Sequence, residues 1–457
     1  MANNIITLTD SYKLAHYNMY PDGIERVLSY FESRNGAKFN NTVFFGLQYL
    51  IKEYLEGKVV TLEKIEKAKA IVDVHMGADV FNYEGWKYIL DTYNGYLPIE
   101  IKAVEEGSVV PTNNVLMTVV NTDDKCFWLT NYLETLLSHV WASITVATLS
   151  RATKLIFKDY LLNTTGSLDG IDFMLHDFGF RGVSSIESAG ICGAGHLINF
   201  QGTDTLVAIE TAMDYYYSGV CAYSVHATEH SIMTAKGEEG EFEVFESLLD
   251  KYPNGILSIV IDSYNYKRFI SEYAEKLKGK ILNRNGKTVF RPDSGAPVPT
   301  TIDVLKRLED VFGSTVNEKG FTVLNEKVGA LWGDGIDYEG IENILYNMKL
   351  EKWSASNIVF GMGGGLLQKV NRDQQRFAFK SSAQRRNGVW HDIYKNPLDK
   401  SKTSKRGKQY LYQDENGKYE TTNVKDDTRV NQLKTVFKNG KIIKEYTFER
   451  IRKNARI

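Results

Sequence analysis

Cysteine is scarce in this chain. Cys126, Cys192 and Cys221 stand far apart, and no Cys-x-x-Cys occurs. An odd, sparse set excludes a disulfide framework and a zinc finger and suits a reducing compartment, so a cytoplasmic location is expected. Excess charge is missing as well. The 55 basic and 57 acidic residues leave a net charge of −2, which gives no general attraction for nucleic acid or anionic membrane. No apolar run reaches about 18 residues, so no membrane-spanning helix is expected. The opening Met1-Ala-Asn-Asn-Ile-Ile6 has no basic stretch ahead of an apolar one, so no secretory leader is expected. What remains is 457 residues, 43% hydrophobic and 25% charged. That is ordinary for a soluble globular enzyme and too long for one core. The 27 Tyr and 22 Phe mostly serve the core, with a few faces left for a flat heteroaromatic ligand.

Three textures follow one another along the chain. Residues 1–165 read as an α+β domain. Asp10 or Thr9 caps a first helix, and Ser29–Glu32 is a strand. Helical spacing fills 44–95, alternation at Ile99, Ile101, Ala103 and Val115, Met117, Val119 gives antiparallel strands, and 126–163 is helical. Residues 166–386 alternate short apolar strands with helices. The strands are expected at Phe173–Phe178, Thr205–Ile209, Ala222–Val225, Leu257–Ile261, Thr288–Phe290, Ala330–Trp332 and Ile358–Phe360. Their loop markers recur every 26–41 residues, the length of a βα unit. Without any visible sequence repeat, this rhythm predicts an α/β fold with an irregular (β/α) barrel, whose strand-end loops carry function. After 387 two hairpins with Asn-Gly turns, at Asn416-Gly417 and Asn439-Gly440, read as strands that rejoin the first domain.

The loops hold the chemistry. Tyr223-Ser-Val-His-Ala-Thr-Glu-His-Ser231 admits three readings: a turn capped by Thr228 or Ser231, a metal site, or catalysis. The metal reading lacks the His-Glu-x-x-His order. In Arg291-Pro-Asp-Ser-Gly295 the proline fixes the turn, so Arg291 can grip a phosphate or ring and Asp293 a hydroxyl or hydrated metal. Gly333-Asp-Gly335 and Gly361-Met-Gly-Gly-Gly365 let backbone approach an anion, although no Walker A lysine follows. Asp262 suits a ribose diol or Mg²⁺. In His176-Asp-Phe-Gly-Phe-Arg-Gly182, Phe178 offers a stacking face and Arg181 an anion donor. A basic zone runs from Arg372, Lys380 and Lys395 to Lys408. It reads either as a solvated loop or as a clamp for pyrophosphate, and it is too short for nucleic-acid binding.

Taken together, Asp10-Ser-Tyr-Lys13, Tyr30-Phe-Glu-Ser-Arg34, Leu175–Ser185, Gly202-Thr-Asp-Thr205, Glu229-His-Ser231, Arg291–Gly295, Gly333–Gly335, Gly363–Lys369 and Val436–Lys441 resemble the nicotinamide phosphoribosyltransferase family of type II phosphoribosyltransferases. The resemblance implies transfer of phosphoribose from phosphoribosyl pyrophosphate to nicotinamide, with Mg²⁺ required. It also implies a homodimer with sites at the subunit interface. Phe178 and the partner's Tyr12 would sandwich the ring. Asp204 would lie at the carboxamide, Arg291 and Arg181 at the amide and 5′-phosphate, and Asp293 and Asp262 at the ribose or Mg²⁺. Gly333, Asp334, Gly363 and Gly364 would line the ribose-phosphate pocket. Arg34, Arg372, Lys380, Lys395 and Lys402 would face pyrophosphate. His230 would be phosphorylated by ATP, with Glu229 orienting its ring. A nicotinate-specific enzyme and a non-catalytic phosphosugar-binding protein on the same fold are the alternatives.

Overall fold

The computed structural model describes residues 3–398 and 403–457, so Lys402 lies outside the described residues. The chain divides into two compact units. One is Met1–Thr148 with Ala212–Ser218 and Asn371–Arg456, and the other is mainly Leu149–Thr211 with Gly219–Val370.

The first unit is built on a seven-stranded antiparallel sheet. Ile24–Ser33 lies between Phe377–Arg386 and Val115–Asn121, and Ile99–Ala103 and then Lys434–Lys438 extend it past the latter. The alternation appears as burial: Ile99, Ile101 and Ala103 are buried, while Glu100 and Lys102 between them are half-buried. The Asn439-Gly440 turn has both residues in the left-handed region, φ 51° and 77°, as a tight two-residue hairpin requires. A Cβ at Gly440 would stand 2.3 Å from the Tyr96 ring. The boundary expected at 386 moves back to about 370. The reason is that Phe377–Arg386 pairs along its length with Ile24–Ser33.

The second unit holds seven parallel strands: β1 (Leu175–Asp177), β2 (Gly202–Thr203), β3 (His226–Ala227), β4 (Asn254–Val260), β5 (Asn285–Arg291), β6 (Val328–Trp332) and β7 (Ile358–Met362). Their bonded order is β2-β1-β7-β6-β5-β4-β3. The two edges then meet. Tyr223, just ahead of β3, bridges Gly202 on β2. Its N–H donates to the Gln201 carbonyl at 2.8 Å, and the Thr203 N–H donates to its carbonyl at 3.1 Å. The strands therefore run in chain order around a ring, closed at one narrow seam. Their continuous apolar runs, such as Ile259-Val260 and Val289-Phe290, are buried, as expected for strands covered on both faces.

Helices fall between the strands, with identifiable stops. Pro297–Phe312 begins on proline and ends at Gly313, φ 80°. Tyr338–Leu350 is capped by Asp337, whose carboxylate accepts from the Gly340 N–H at 2.9 Å. Two expected strands are corrected: Ala222–Val225 carries only the bridge at Tyr223, with β3 just after it, and Thr205–Ile209 is the start of the helix Leu206–Tyr216, with β2 just before it. A short apolar run does not distinguish a buried helical turn from a strand. No helix among the described residues is long and apolar enough to cross a membrane.

Candidate active site

The site is assembled at the C-terminal ends of the barrel strands. Asp177, on β1, is fully buried, and its carboxylate accepts from the Gly179 N–H at 2.7 Å. That bond fixes the turn presenting Phe178, whose own N–H donates to the Met362 carbonyl on β7 at 3.0 Å. Burial pushes the Asp177 carboxyl up to about 6. The Phe178 ring lies over glycines of the neighbouring strand ends. A Cβ at Gly361 would stand 1.9 Å from it and one at Gly333 3.4 Å.

Asp204 follows β2. Its N–H donates to the Asp177 carbonyl at 2.9 Å, and its Oδ1 accepts a short hydrogen bond from the Ser224 hydroxyl. His176 packs close by. Burial lowers its pKa, opposed by the charge of Asp204 and a bond to the Phe173 backbone. The ring is therefore neutral at physiological pH. A Cβ on Gly202 would stand 2.7 Å from that imidazole, so the strand must carry glycine there.

Arg291 ends β5. Its Nη2 donates to the Thr228 carbonyl at 3.0 Å. Its Nε is buried and has no partner among the described residues. Thr228 is not the expected helix cap. Its hydroxyl accepts from the Val260 N–H at 2.9 Å, and its N–H donates to Ser258 at 3.0 Å. These bonds tie the histidine loop to β4. Glu229 occupies the cap position of the short helix His230–Met233.

His230 Nε2 lies 3.2 Å from Asp262 Oδ1, with the imidazole 46% exposed and the carboxylate 6%. Asp262 Oδ2 accepts from the Asp293 N–H at 3.0 Å and from the Ser294 hydroxyl. The carboxylate in contact with the imidazole is thus Asp262, not the Glu229 expected to orient it. Glu229 accepts from Ser231, and Asp262 orients the imidazole. Adjacent residues at a helix start point about 100° apart, so the neighbour of a histidine is poorly placed to hold it.

Two chambers result. A bore of about 430 Å³ runs inside the ring, lined by Phe173, His176, Val225, Ile256, Val289 and Leu331 among others. A mouth of about 730 Å³ is lined by Phe180, Arg181, Glu229, His230, Ser231 and Asp293. Phe178, Asp204 and Arg291 line both. Lys287, toward the far end of the bore, crosses Gly329, where a Cβ would stand 2.9 Å from its Cε. Burial lowers the pKa of this lysine, opposed by the charge of Glu326. Asp334 is exposed in its bend, where its carbonyl accepts from Trp332 Nε1 at 2.8 Å. Gly363 lies against the Phe178 carbonyl, and Gly364 faces open space.

The remaining expected residues belong to the first unit. Burial lowers the pKa of Lys380; the Glu134 charge opposes this, and the cations Lys395, Arg34 and Arg372 add to it. These four positive groups therefore share one electrostatic neighbourhood. Tyr12 is exposed on the 3₁₀ segment Ser11–Asn18, in an edge contact with His16 at 5.1 Å.

Mg²⁺ takes oxygen ligands, often one or two carboxylates completed by water and substrate phosphates. Asp262 is already engaged on both oxygens, whereas the half-buried Asp293 faces the mouth. No cluster of three or more His, Cys, Asp or Glu suited to a metal occurs among the described residues. The site thus fits Mg²⁺ arriving with phosphates better than a cation held by protein alone.

Sequence reasoning missed Ser224 and Lys287, and it gave Thr228 and Gly361 other roles, a helix cap and an anion-facing loop, than the strand tie and ring seat they form. The available signals were a lone serine in an aromatic and β-branched run and a lysine just inside an apolar strand.

Two family models match the chain. The nicotinate phosphoribosyltransferase (NAPRTase) family covers residues 173–441, and the nicotinamide phosphoribosyltransferase N-terminal domain covers residues 4–101. The chain is 44% identical to a nicotinamide phosphoribosyltransferase of Xanthomonas campestris, over 99% of this chain and 98% of that one. It is 36% identical to one of Acinetobacter baylyi, over 98% and 96%. The fold is similar to nicotinate-nucleotide pyrophosphorylase from Pyrococcus furiosus, with TM-score 0.64, 16% identity, and 100% and 96% of the chains covered. It is also similar to human nicotinic acid phosphoribosyltransferase, with TM-score 0.58, 15% identity, and 98% and 92% covered.

Proposed function

Because the chain belongs to the nicotinate phosphoribosyltransferase family, we infer that its barrel runs that chemistry on the amide. The enzyme transfers the phosphoribosyl group of phosphoribosyl pyrophosphate to nicotinamide, giving nicotinamide mononucleotide and pyrophosphate for NAD salvage. The observation that carries the amide reading is the pairing of an acceptor, Asp204, with an unpartnered donor, Arg291 Nε, around one cavity that Phe178 also lines.

Phe178 stacks the pyridine ring, and Asp204 accepts from the carboxamide nitrogen while disfavouring a carboxylate. Arg291 donates to the carboxamide oxygen, and Arg181 faces the 5′-phosphate. Gly333, Asp334, Gly363 and Gly364 line the ribose-phosphate side. Arg34, Arg372, Lys380, Lys395 and Lys402 neutralise the leaving pyrophosphate. The pyridine nitrogen attacks C1 of the ribose as the C–O bond to pyrophosphate breaks. That nitrogen carries no proton, so no general base is required. Catalysis is positioning and charge stabilisation. Mg²⁺ brought by the substrate phosphates would supply charge neutralisation, and Asp293, with Asp262 beside it, would hold it.

His230 is the phosphate acceptor from ATP. Its Nε2–H donates to Asp262, which leaves the Nδ1 lone pair free to attack the γ-phosphorus. The bond to ADP breaks as the Nδ1–P bond forms, and the resulting imidazolium is stabilised by Asp262. The exposed Tyr12 supports a homodimer in which the partner's copy closes the ring sandwich. The three buried cysteines, none of them in a disulfide, support a cytoplasmic enzyme.

The test is a direct comparison of nicotinamide and nicotinate with phosphoribosyl pyrophosphate and Mg²⁺, reading mononucleotide. Nicotinamide gives the higher kcat/KM, and preference for nicotinate overturns the reading. His230→Ala abolishes ATP hydrolysis and ATP stimulation; retention of both refutes the phosphohistidine.

A further inference from the structure

We propose that Ser224 is a specificity-determining residue that joins Asp204 in accepting both N–H bonds of the substrate's primary amide. The inference rests on the reading of the base as nicotinamide.

The reasoning is a count of donors and acceptors. A serine hydroxyl has one proton and two lone pairs. The proton of Ser224 is given to Asp204 Oδ1. Both side chains line the bore. With the proton committed, Ser224 Oγ presents only acceptor capacity there, and Asp204 Oδ2 is the second acceptor. A primary amide brings two N–H donors and one carbonyl acceptor. The buried, unpartnered Nε–H of Arg291 serves the carbonyl, and the count closes. His176, neutral and bonded to the Phe173 backbone, leaves only an acceptor nitrogen and adds no competing donor. A carboxylate substrate has no proton for either acceptor and meets the charge of Asp204.

The spacing of the two acceptors is set by backbone. Ser224 follows Tyr223, and Asp204 follows Thr203. The Tyr223–Thr203 hydrogen bond and the Tyr223–Gly202 bridge hold these segments in register. The seam that closes the ring therefore also places the amide-selective pair.

The experiment measures kcat/KM for nicotinamide and for nicotinate on the full-length protein with saturating phosphoribosyl pyrophosphate and Mg²⁺. Ser224→Ala lowers the nicotinamide value about tenfold, mostly through KM, the effect of one hydrogen bond lost from the bound amide. The nicotinate value does not fall, so the preference ratio drops about tenfold. Ser224→Thr, which keeps the hydroxyl, restores the ratio, while the isosteric Ser224→Val does not. This pair separates the hydroxyl from packing if the alanine protein is unstable. Equal losses on both substrates, or a ratio that survives both Ser224→Ala and Ser224→Val, overturn the inference. A wild type that prefers nicotinate overturns the underlying reading as well; a wild type that prefers nicotinamide while the variants keep its ratio overturns this inference alone.

Discussion

The bore and the mouth share Phe178, Asp204 and Arg291 and have little else in common. The bore is walled mainly by apolar side chains such as Val225, Ile256, Val289 and Leu331, with His176, Ser224 and Lys287 set among them. The mouth is walled by Arg181, Glu229, His230 and Asp293. A neutral heteroaromatic ring suits the first, where low polarity makes each hydrogen bond selective. Phosphates and a cation suit the second. Under the proposed function, the contrast would separate recognition of the base from charge handling, with the three shared residues between them.

The strongest way to break this division is at a shared residue. Arg291→Ala removes a charged donor from both chambers and lowers kcat/KM about 10²–10³-fold, the usual cost of a preorganised donor. Steady-state rates with each substrate varied check this, and a loss under tenfold means that neither chamber depends on it. Gly361→Ala sharpens the comparison, because it reaches Phe178, the proposed stacking face, and none of the charged residues of the mouth. Its Cβ would overlap the Phe178 ring, so the nicotinamide KM rises about tenfold while the KM for phosphoribosyl pyrophosphate holds. The melting midpoint falls by the equivalent of about 1–3 kcal/mol of overpacking. Equal changes in both KM values would erase the division.

The smallest effect lies in neither chamber. His196 is fully buried, with Nδ1 2.9 Å from the Ser150 hydroxyl and Nε2 3.3 Å from the Gly202 carbonyl. Burial lowers its pKa to about 3. The folded protein therefore binds fewer protons than the unfolded chain between about pH 6.5 and 3. Stability falls as pH drops through that window, by a few kcal/mol at most. Denaturant titrations from pH 7 to 5 reveal the slope, and His196→Gln flattens it. An unchanged slope in the variant assigns acid sensitivity elsewhere.

Much of this was legible before any coordinates. Residues such as Asp262 and Arg291 end apolar runs that must be strands, because both faces of a parallel strand are covered. The Asn439-Gly440 hairpin follows from the positive φ that its two-residue turn demands. The illegible parts are side-chain pairings across long sequence gaps. Ser224 meets Asp204 across 20 residues and Asp262 meets His230 across 32. Periodicity says which face a residue occupies and nothing about its neighbour on another strand. Glu229 was the tempting partner for His230 because it was adjacent. Chain adjacency at a helix start works against contact.

The narrow seam has a further consequence, in time rather than in space. β4 and β5 are in register over seven residues, whereas β2 and β3 are two residues each and meet through Tyr223. The ring is strong on one side and thinly laced on the other. Local opening follows the fewest hydrogen bonds, so the amides of Thr203 and Tyr223 exchange with deuterated water sooner than those of Ile259 or Phe290. Asp204 and Ser224 sit on the two lips of that opening. An opening at that seam would part Ser224 from Asp204 and so loosen whatever their hydrogen bond holds.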